Sequence, residues 1–191
     1  MCSSDLSGAF YASNHFADQR FDGAGTLLAS PASTGRPLLH TGDWAIYAVI
    51  DQLIWRSPGT KEEGIGVFFH AMVGPSDRNL SNRFFEAGVN WRAPFAERTE
   101  DIAGLAFTYL GISPAAQRFS RDLVAFGAAT SVYADAEAVI EATYQAAITD
   151  WFTLQPDIQL ILNPNAGIPG PFGPKPLADA VVIGTRATIK F

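Results

Sequence analysis

Between residues 137 and 191 the chain alternates polar and apolar side chains with a period of two, and this constrains the fold more than any other feature. Glu137, Val139, Glu141, Thr143, Gln145, Ala147 and Thr149 fall on one side, and Ala138, Ile140, Ala142, Tyr144, Ala146 and Ile148 on the other. After a break at Asp150 and Trp151 the pattern resumes. Thr153, Gln155, Asp157, Gln159 and Asn163 then oppose Phe152, Leu154, Pro156, Ile158, Leu160 and Leu162. The last stretch sets Val181, Ile183, Thr185, Ala187, Ile189 and Phe191 against Val182, Gly184, Arg186, Thr188 and Lys190. Only extended backbone sends successive side chains to opposite faces, so these are three strands, the first two joined as a hairpin.

On period alone a soluble β-sandwich is the commoner outcome, because the signal of a single membrane-barrel strand is weak. Two details favour the barrel. Trp151 and Phe152 cluster at the short turn, where a membrane barrel carries its aromatic girdle, and the chain stops on the aromatic Phe191.

The segments Glu141-Ala-Thr-Tyr-Gln145, Trp151-Phe-Thr-Leu-Gln-Pro-Asp-Ile-Gln159, Asn163-Pro164 and Ile183-Gly-Thr-Arg186 before Phe191 resemble the end of the carbohydrate-selective porins of the OprB family. The run Leu154-Gln-Pro-Asp-Ile-Gln159 is the most specific of them. Gly8-Ala-Phe-Tyr11, Ile46-Tyr-Ala-Val-Ile-Asp-Gln52 with Trp55, and Gly104 to Tyr109 extend the resemblance over nearly the whole chain from about Ser7. It implies an all-β, antiparallel transmembrane barrel in a bacterial outer membrane, through which sugars diffuse passively without catalysis or a cofactor. The implied partners are sugars, outer-membrane lipids and the barrel-assembly machinery, with self-association left open.

A barrel of about sixteen strands needs roughly twice the 191 residues present. The chain therefore reads as the carboxy-terminal half, about eight strands over residues 7–191. Its start lacks the basic stretch and apolar run of an export signal. Residues 1–6 resemble a frame of a sequencing adapter, which makes them a non-native leader. Cys2 lies within them as the single cysteine, so no disulfide framework or cysteine metal site is readable. Hydrophobic residues make up 48% of the chain while the mean hydropathy is only +0.10, as alternation requires. No window approaches the roughly twenty unbroken apolar residues of a membrane-spanning helix. A net charge of -6 and a pI near 4.9 argue against a nucleic-acid partner.

Taken in order, strands are expected at 7–14, 42–56, 64–73, 82–92 and 102–112 before the final three, with a polar loop from about 17 to 41. Phe85, Ala87, Val89 and Trp91 face outward in the fourth of these, and Glu86, Gly88, Asn90 and Arg92 inward. Phe68 and His70 oppose Val67, Phe69, Ala71 and Val73. Gly104 and Ala106 on an inner face point to close approach by something in the lumen. Ser113-Pro114 reads as a helix start, with a short helix over 114–125 carrying Arg118 and Arg121. The sequence leaves open whether the connection 113–136 enters the pore. Turns are expected at 57–60, 74–79 and 94–99. Connections alternate short and long, which places Trp55, Trp91, Trp151 and Phe191 at one rim, the periplasmic one.

No catalytic constellation is readable. His15, His40 and His70 are far apart, and Asp43, Asp51, Glu62 and Glu63 have no evident partner. An outer-membrane lipase would need Ser and His on one strand face near the rim, and none is seen. The alternative from another class is a soluble carbohydrate-binding β-sheet domain, which would require a buried core. For the channel, the inward positions Glu141, Gln145, Gln155, Asp157, Gln159 and Arg186 are the expected sugar path, with Glu86 and Arg92 on the same inner surface. If the final hairpin pairs normally, Asp157 and Arg186 lie on adjacent strands, and an ion pair between them is the alternative to contact with sugar. Ile140, Tyr144, Ile158, Leu160, Ile183 and Ile189 are expected to face lipid. Phe191 resembles the terminal aromatic of the family's assembly signal.

Overall fold

The computed structural model describes residues 4–58, 63–95, 97–168 and 175–191. Eight strands run β1 (Ser4–Asp22), β2 (Pro37–Arg56), β3 (Gly64–Val73), β4 (Ser81–Arg92), β5 (Ile102–Ile112), β6 (Ala136–Thr149), β7 (Phe152–Leu162) and β8 (Ala180–Ile189). They form one antiparallel sheet in sequence order, each strand paired only with its chain neighbours. The sheet does not close: β1 and β8 each keep one unpaired edge.

Strands β3 to β8 match the alternation within a residue or two at each end. Those between β3 and β8 are 10 to 14 residues long, near the 9 to 11 that cross a bilayer when tilted. β1 and β2 differ from expectation. The segment 17–41 was expected as loop, yet β1 continues to Asp22 and β2 starts at Pro37. At 19 and 20 residues they are about twice as long as a crossing requires, and their far ends form a ribbon beyond the other strands. Register shifts between Ala12 and His15, and between Ala17 and Asp22, break the period of two there, so alternation could not reveal them. Beyond the ribbon, the fully buried Asp22 holds the connection 23–36. Its carboxylate accepts from the backbone N–H of Ala24, Thr26 and Thr34 and from the hydroxyls of Ser33 and Thr34.

Helix α1 (Pro114–Ala125) forms where Ser113 and Pro114 indicate it: the Ser113 hydroxyl accepts from Ala116 N–H at 3.2 Å, and Pro114 occupies the first turn. Although α1 follows β5, it packs against β1. Arg20 of β1 grips Asp122 through two hydrogen bonds of 2.6 and 3.1 Å. Four strand spacings separate β1 from β5, about 19 Å along the sheet. A helix of twelve residues is about 18 Å long, so α1 spans that distance at the long-loop rim. Arg118 and Arg121 remain exposed on it.

Short connections lie at one rim (57–63, 93–101 and 150–151) and long ones at the other, with 74–80 the shortest of the second group. The turn expected at 57–60 lies partly outside the described residues, as do Ala96, Cys2 and Glu62. Trp55 and Trp91 both meet Ile65 in register, and Trp151 receives the N–H of Lys190. The three tryptophans and Phe191 therefore share the short-turn rim, as expected.

The only buried apolar cluster among the described residues is small. Ile112, Ala116 and Ala166 pack together where α1 and the 3-10 turn Pro164–Gly167 sit on the end of β5. Most large apolar side chains stay exposed, including Ile140, Ile158, Leu160, Val181, Ile183 and Ile189. The accessible surface is 11777 Å². A compact monomer of this mass would expose about 8,900 Å².

Candidate functional site

Pairing carries the alternation of each strand across the whole sheet, so like faces like and two chemically distinct surfaces result. One surface aligns Phe107, Ile140 and Leu160 in a row, and Leu105, Ala142, Ile158 and Ile183 in the next. The opposite surface aligns Gly88, Ala106, Glu141, Gln159 and Val182, then Asn90, Gly104, Thr143, Asp157 and Gly184. Arg92, Ile102 and Gln145 continue it toward the short-turn rim.

Hydrogen bonds run along this polar surface from strand to strand. Gln159 Nε2 donates to Glu141 Oε2 at 3.0 Å, and Gln155 Nε2 donates to Thr143 Oγ1 at 2.9 Å. Glu86 is held on both sides: its Oε2 lies 3.1 Å from His70 Nδ1, and its Oε1 accepts from Thr108 Oγ1 at 3.2 Å. A carboxylate can accept about four hydrogen bonds, so Glu86 and Glu141 keep capacity for further donors. All of the expected path residues Glu141, Gln145, Gln155, Asp157, Gln159, Arg186, Glu86 and Arg92 lie on this one face.

Of the two alternatives for Asp157 and Arg186, the ion pair is not formed. Asp157 stands opposite Gly184 and leans over it, with its Oδ1 2.5 Å from where a Cβ at 184 would be, while Arg186 stands opposite Gln155. The strands pair normally, but the register offsets the two charges by one inward position. Gln145 takes a different place from its neighbours. It lines a hollow of about 490 Å³ at the short-turn rim with Glu97, Arg98, Asp101, Asp150 and Lys190.

Asp101, in the connection 93–101, is a residue the sequence did not single out. It is 1% exposed and accepts from Arg98 Nε and Nη2 (2.7 and 3.1 Å), from the Tyr144 hydroxyl, and from Ala147 N–H at 2.9 Å. Burial alone would raise its pKa, but the hydrogen bonds from Arg98, Tyr144 and Ala147 outweigh that and hold it below the ordinary carboxylate value. Tyr144 does lie on the same face as Ile140, yet its hydroxyl is spent on Asp101 and its ring packs near Phe95 at 6.3 Å. At the long-loop rim, Asp18 lies 2.7 Å from His40, and Asp43 accepts from Asn79 at 3.1 Å. Asp43 thus has a partner that its sequence neighbours did not reveal. His15 lies 3.3 Å from the hydroxyl of Thr41. Among the described residues no three His, Cys, Asp or Glu side chains are placed to hold a metal ion.

Comparison with known proteins accounts for this two-faced, open sheet. A family model described as carbohydrate-selective porin, OprB family, matches residues 6–191. A solved structure of OprB from Pseudomonas putida at high pH superposes with a TM-score of 0.85 at 18% identity. The match covers 99% of this chain and 44% of that one, so the chain spans less than half the length of the barrel it resembles. No curated protein matches the chain. No helix among the described residues is long and apolar enough to cross a membrane, which leaves barrel strands unaddressed.

Proposed function

Because the chain belongs to the carbohydrate-selective porin family OprB, we propose that it is the carboxy-terminal half of an outer-membrane channel through which sugars diffuse passively. The observation that carries this reading is the division of one sheet into an exposed apolar face and a hydrogen-bonded polar face. Lipid accepts the first and water the second. A soluble carbohydrate-binding domain would bury its apolar face against another layer, whereas here about 2,900 Å² more surface is exposed than a compact fold of this mass allows. The unpaired edges of β1 and β8 support the half-barrel reading, since open backbone N–H and C=O groups are not tolerated in hydrocarbon. In this reading lipids cover the apolar face, and the assembly machinery reads Phe191.

Glu141, Gln145, Gln155, Asp157, Gln159, Arg186, Glu86 and Arg92 line the path. Sugar hydroxyls both donate and accept, and a wall mixing carboxylates, amides and guanidinium exchanges partners with them without holding them tightly. The test uses the complete barrel in liposomes. Gln159→Leu and Glu141→Leu should slow sugar entry several-fold more than they lower small-ion conductance. Equal loss of both fluxes would reduce their role to pore width, and no loss of either would remove them from the path.

A further inference from the structure

Among the described residues of the polar face, an aromatic ring and hydroxyl-binding groups meet over open space on β3 to β6. Phe68 of β3 stands directly opposite Gly88 of β4, and its ring lies across that glycine: a Cβ at 88 would collide with the ring's Cζ. Ala106 of β5 continues the same row, and Gly104 lies one inward position away. With no side chain at 88 or 104 and only a methyl at 106, the wall is hollowed. The hollow measures about 320 Å³ and is lined by Phe68, Glu86, Asn90, Gly104, Glu141 and Thr143, among others. Phe68 and Asn90 also border a second hollow of about 250 Å³ that includes Asp51, so the ring forms a ridge between the two.

We propose that this hollow is a pyranose-docking subsite, with the Phe68 ring taking the C–H face of the sugar and Glu86, Asn90, Glu141 and Thr143 meeting its hydroxyls. The proposal rests on the channel reading above and adds to it a place and a preference. A pyranose carries C–H groups on its faces and hydroxyls around its edge. An aromatic plane beside acceptors and an amide answers both, because the ring removes apolar surface from water while each desolvated hydroxyl finds a partner. The acceptors are held in advance: His70 and Thr108 fix Glu86, and Gln159 fixes Glu141. Little side-chain freedom is therefore lost on docking. The charge is one-sided. Glu86 and Glu141 line the hollow, Asp51 lies across the ridge, and among the described residues no Lys or Arg lines either. The subsite favours neutral pyranoses and repels sugar acids.

The experiment is sugar block of ion current through the complete barrel in a planar bilayer, with glucose as the neutral probe and glucuronate as the acid. Phe68→Ala should raise the half-blocking glucose concentration about tenfold, within the range for loss of an aromatic stacking platform. Phe68→Leu, which keeps apolar bulk but not the flat ring, should do nearly the same and decides the matter if the alanine variant fails to assemble. Phe69→Ala, on the opposite face of the same strand, should leave the block unchanged. Glucuronate should block less well than glucose, and Glu141→Gln should narrow that difference. An unchanged half-blocking concentration in the Phe68 variants, with glucose still entering liposomes, overturns the subsite and leaves the channel reading standing. A barrel that conducts ions but admits no sugar overturns the channel reading, and the subsite with it.

Discussion

Replacing Asp101 by Asn tests the anchoring of a short-turn connection most directly. The carboxylate is buried and receives four hydrogen bonds, one of them from the backbone of a neighbouring strand. Asn is the same size and can still accept from Ala147 N–H, but it carries no charge, and its amide turns a donor toward a group that itself donates. The Arg98 ion pair counts for little, because that guanidinium side chain is 41% exposed and water screens it. The loss of charge-assisted bonds from Tyr144 and Ala147 dominates, at about 1.5 to 3 kcal/mol. Asp101→Ala strands the Ala147 N–H as well and should cost about 1 to 3 kcal/mol more. The measurement is urea unfolding of the complete barrel in detergent, wild type against variant, across pH. The folded carboxyl sits below its unfolded value, so its contribution is fully present above about pH 4 and is lost as pH falls through the folded pKa. The gap between wild type and Asp101→Asn should therefore be constant from pH 7 to about pH 4.5 and shrink below pH 4. A gap that stays constant down to pH 3, or no gap at pH 7, would refute the assignment of a stabilising charge to Asp101.

Three further outcomes are expected. Ile183→Arg, at a side chain 78% exposed on the apolar face, should destabilise the barrel in bilayers by about 2 to 4 kcal/mol if the site lies near the midplane, and much less in a soluble reference state. Asp122→Ala releases α1 from Arg20 and should speed limited proteolysis within 113–135 several-fold without shifting the unfolding midpoint of the sheet. Deletion of Phe191 from the full-length gene should lower the yield of heat-modifiable barrel in the outer membrane, and unchanged yield would leave that residue only a place in the rim girdle.

The strands most readable in the sequence are those whose two faces meet different solvents along their whole length. β6, β7 and β8 belong to this class, as does α1, whose cap and proline announce it. The ends of β1 and β2 were hidden for the opposite reason. There β1 meets α1 and the connection 23–36 rather than lipid, so nothing selects an alternating pattern, and two register shifts break what pattern there is. Face assignment was readable for every expected path residue, because a period of two fixes it within a strand. Partnership was not. Whether Asp157 and Arg186 pair depended on an offset that only register reveals, and Asp101 gave no sign because, beside the nearby Arg98, the partners that bury it lie 43 and 46 positions away on β6. Phe68 was visible as an inward residue, but its importance depends on Gly88 standing directly across from it.

That opposition of ring and glycine is repeated in the adjoining strand pair, where Tyr47 of β2 lies directly across from Gly8 of β1, its hydroxyl 2.5 Å from the position of an added Cβ. Each pair works as a key cut for one alignment. A slip of either strand by two residues keeps every side chain on its proper face, so the polar and apolar pattern offers no resistance to it. It would, however, drive the Phe68 ring into Glu86 or Asn90, and the Tyr47 ring into Leu6 or Phe10. Two glycines and two rings thus guard against the misalignments to which alternation is blind, and Gly88→Ala should be tolerated only together with a smaller residue at 68.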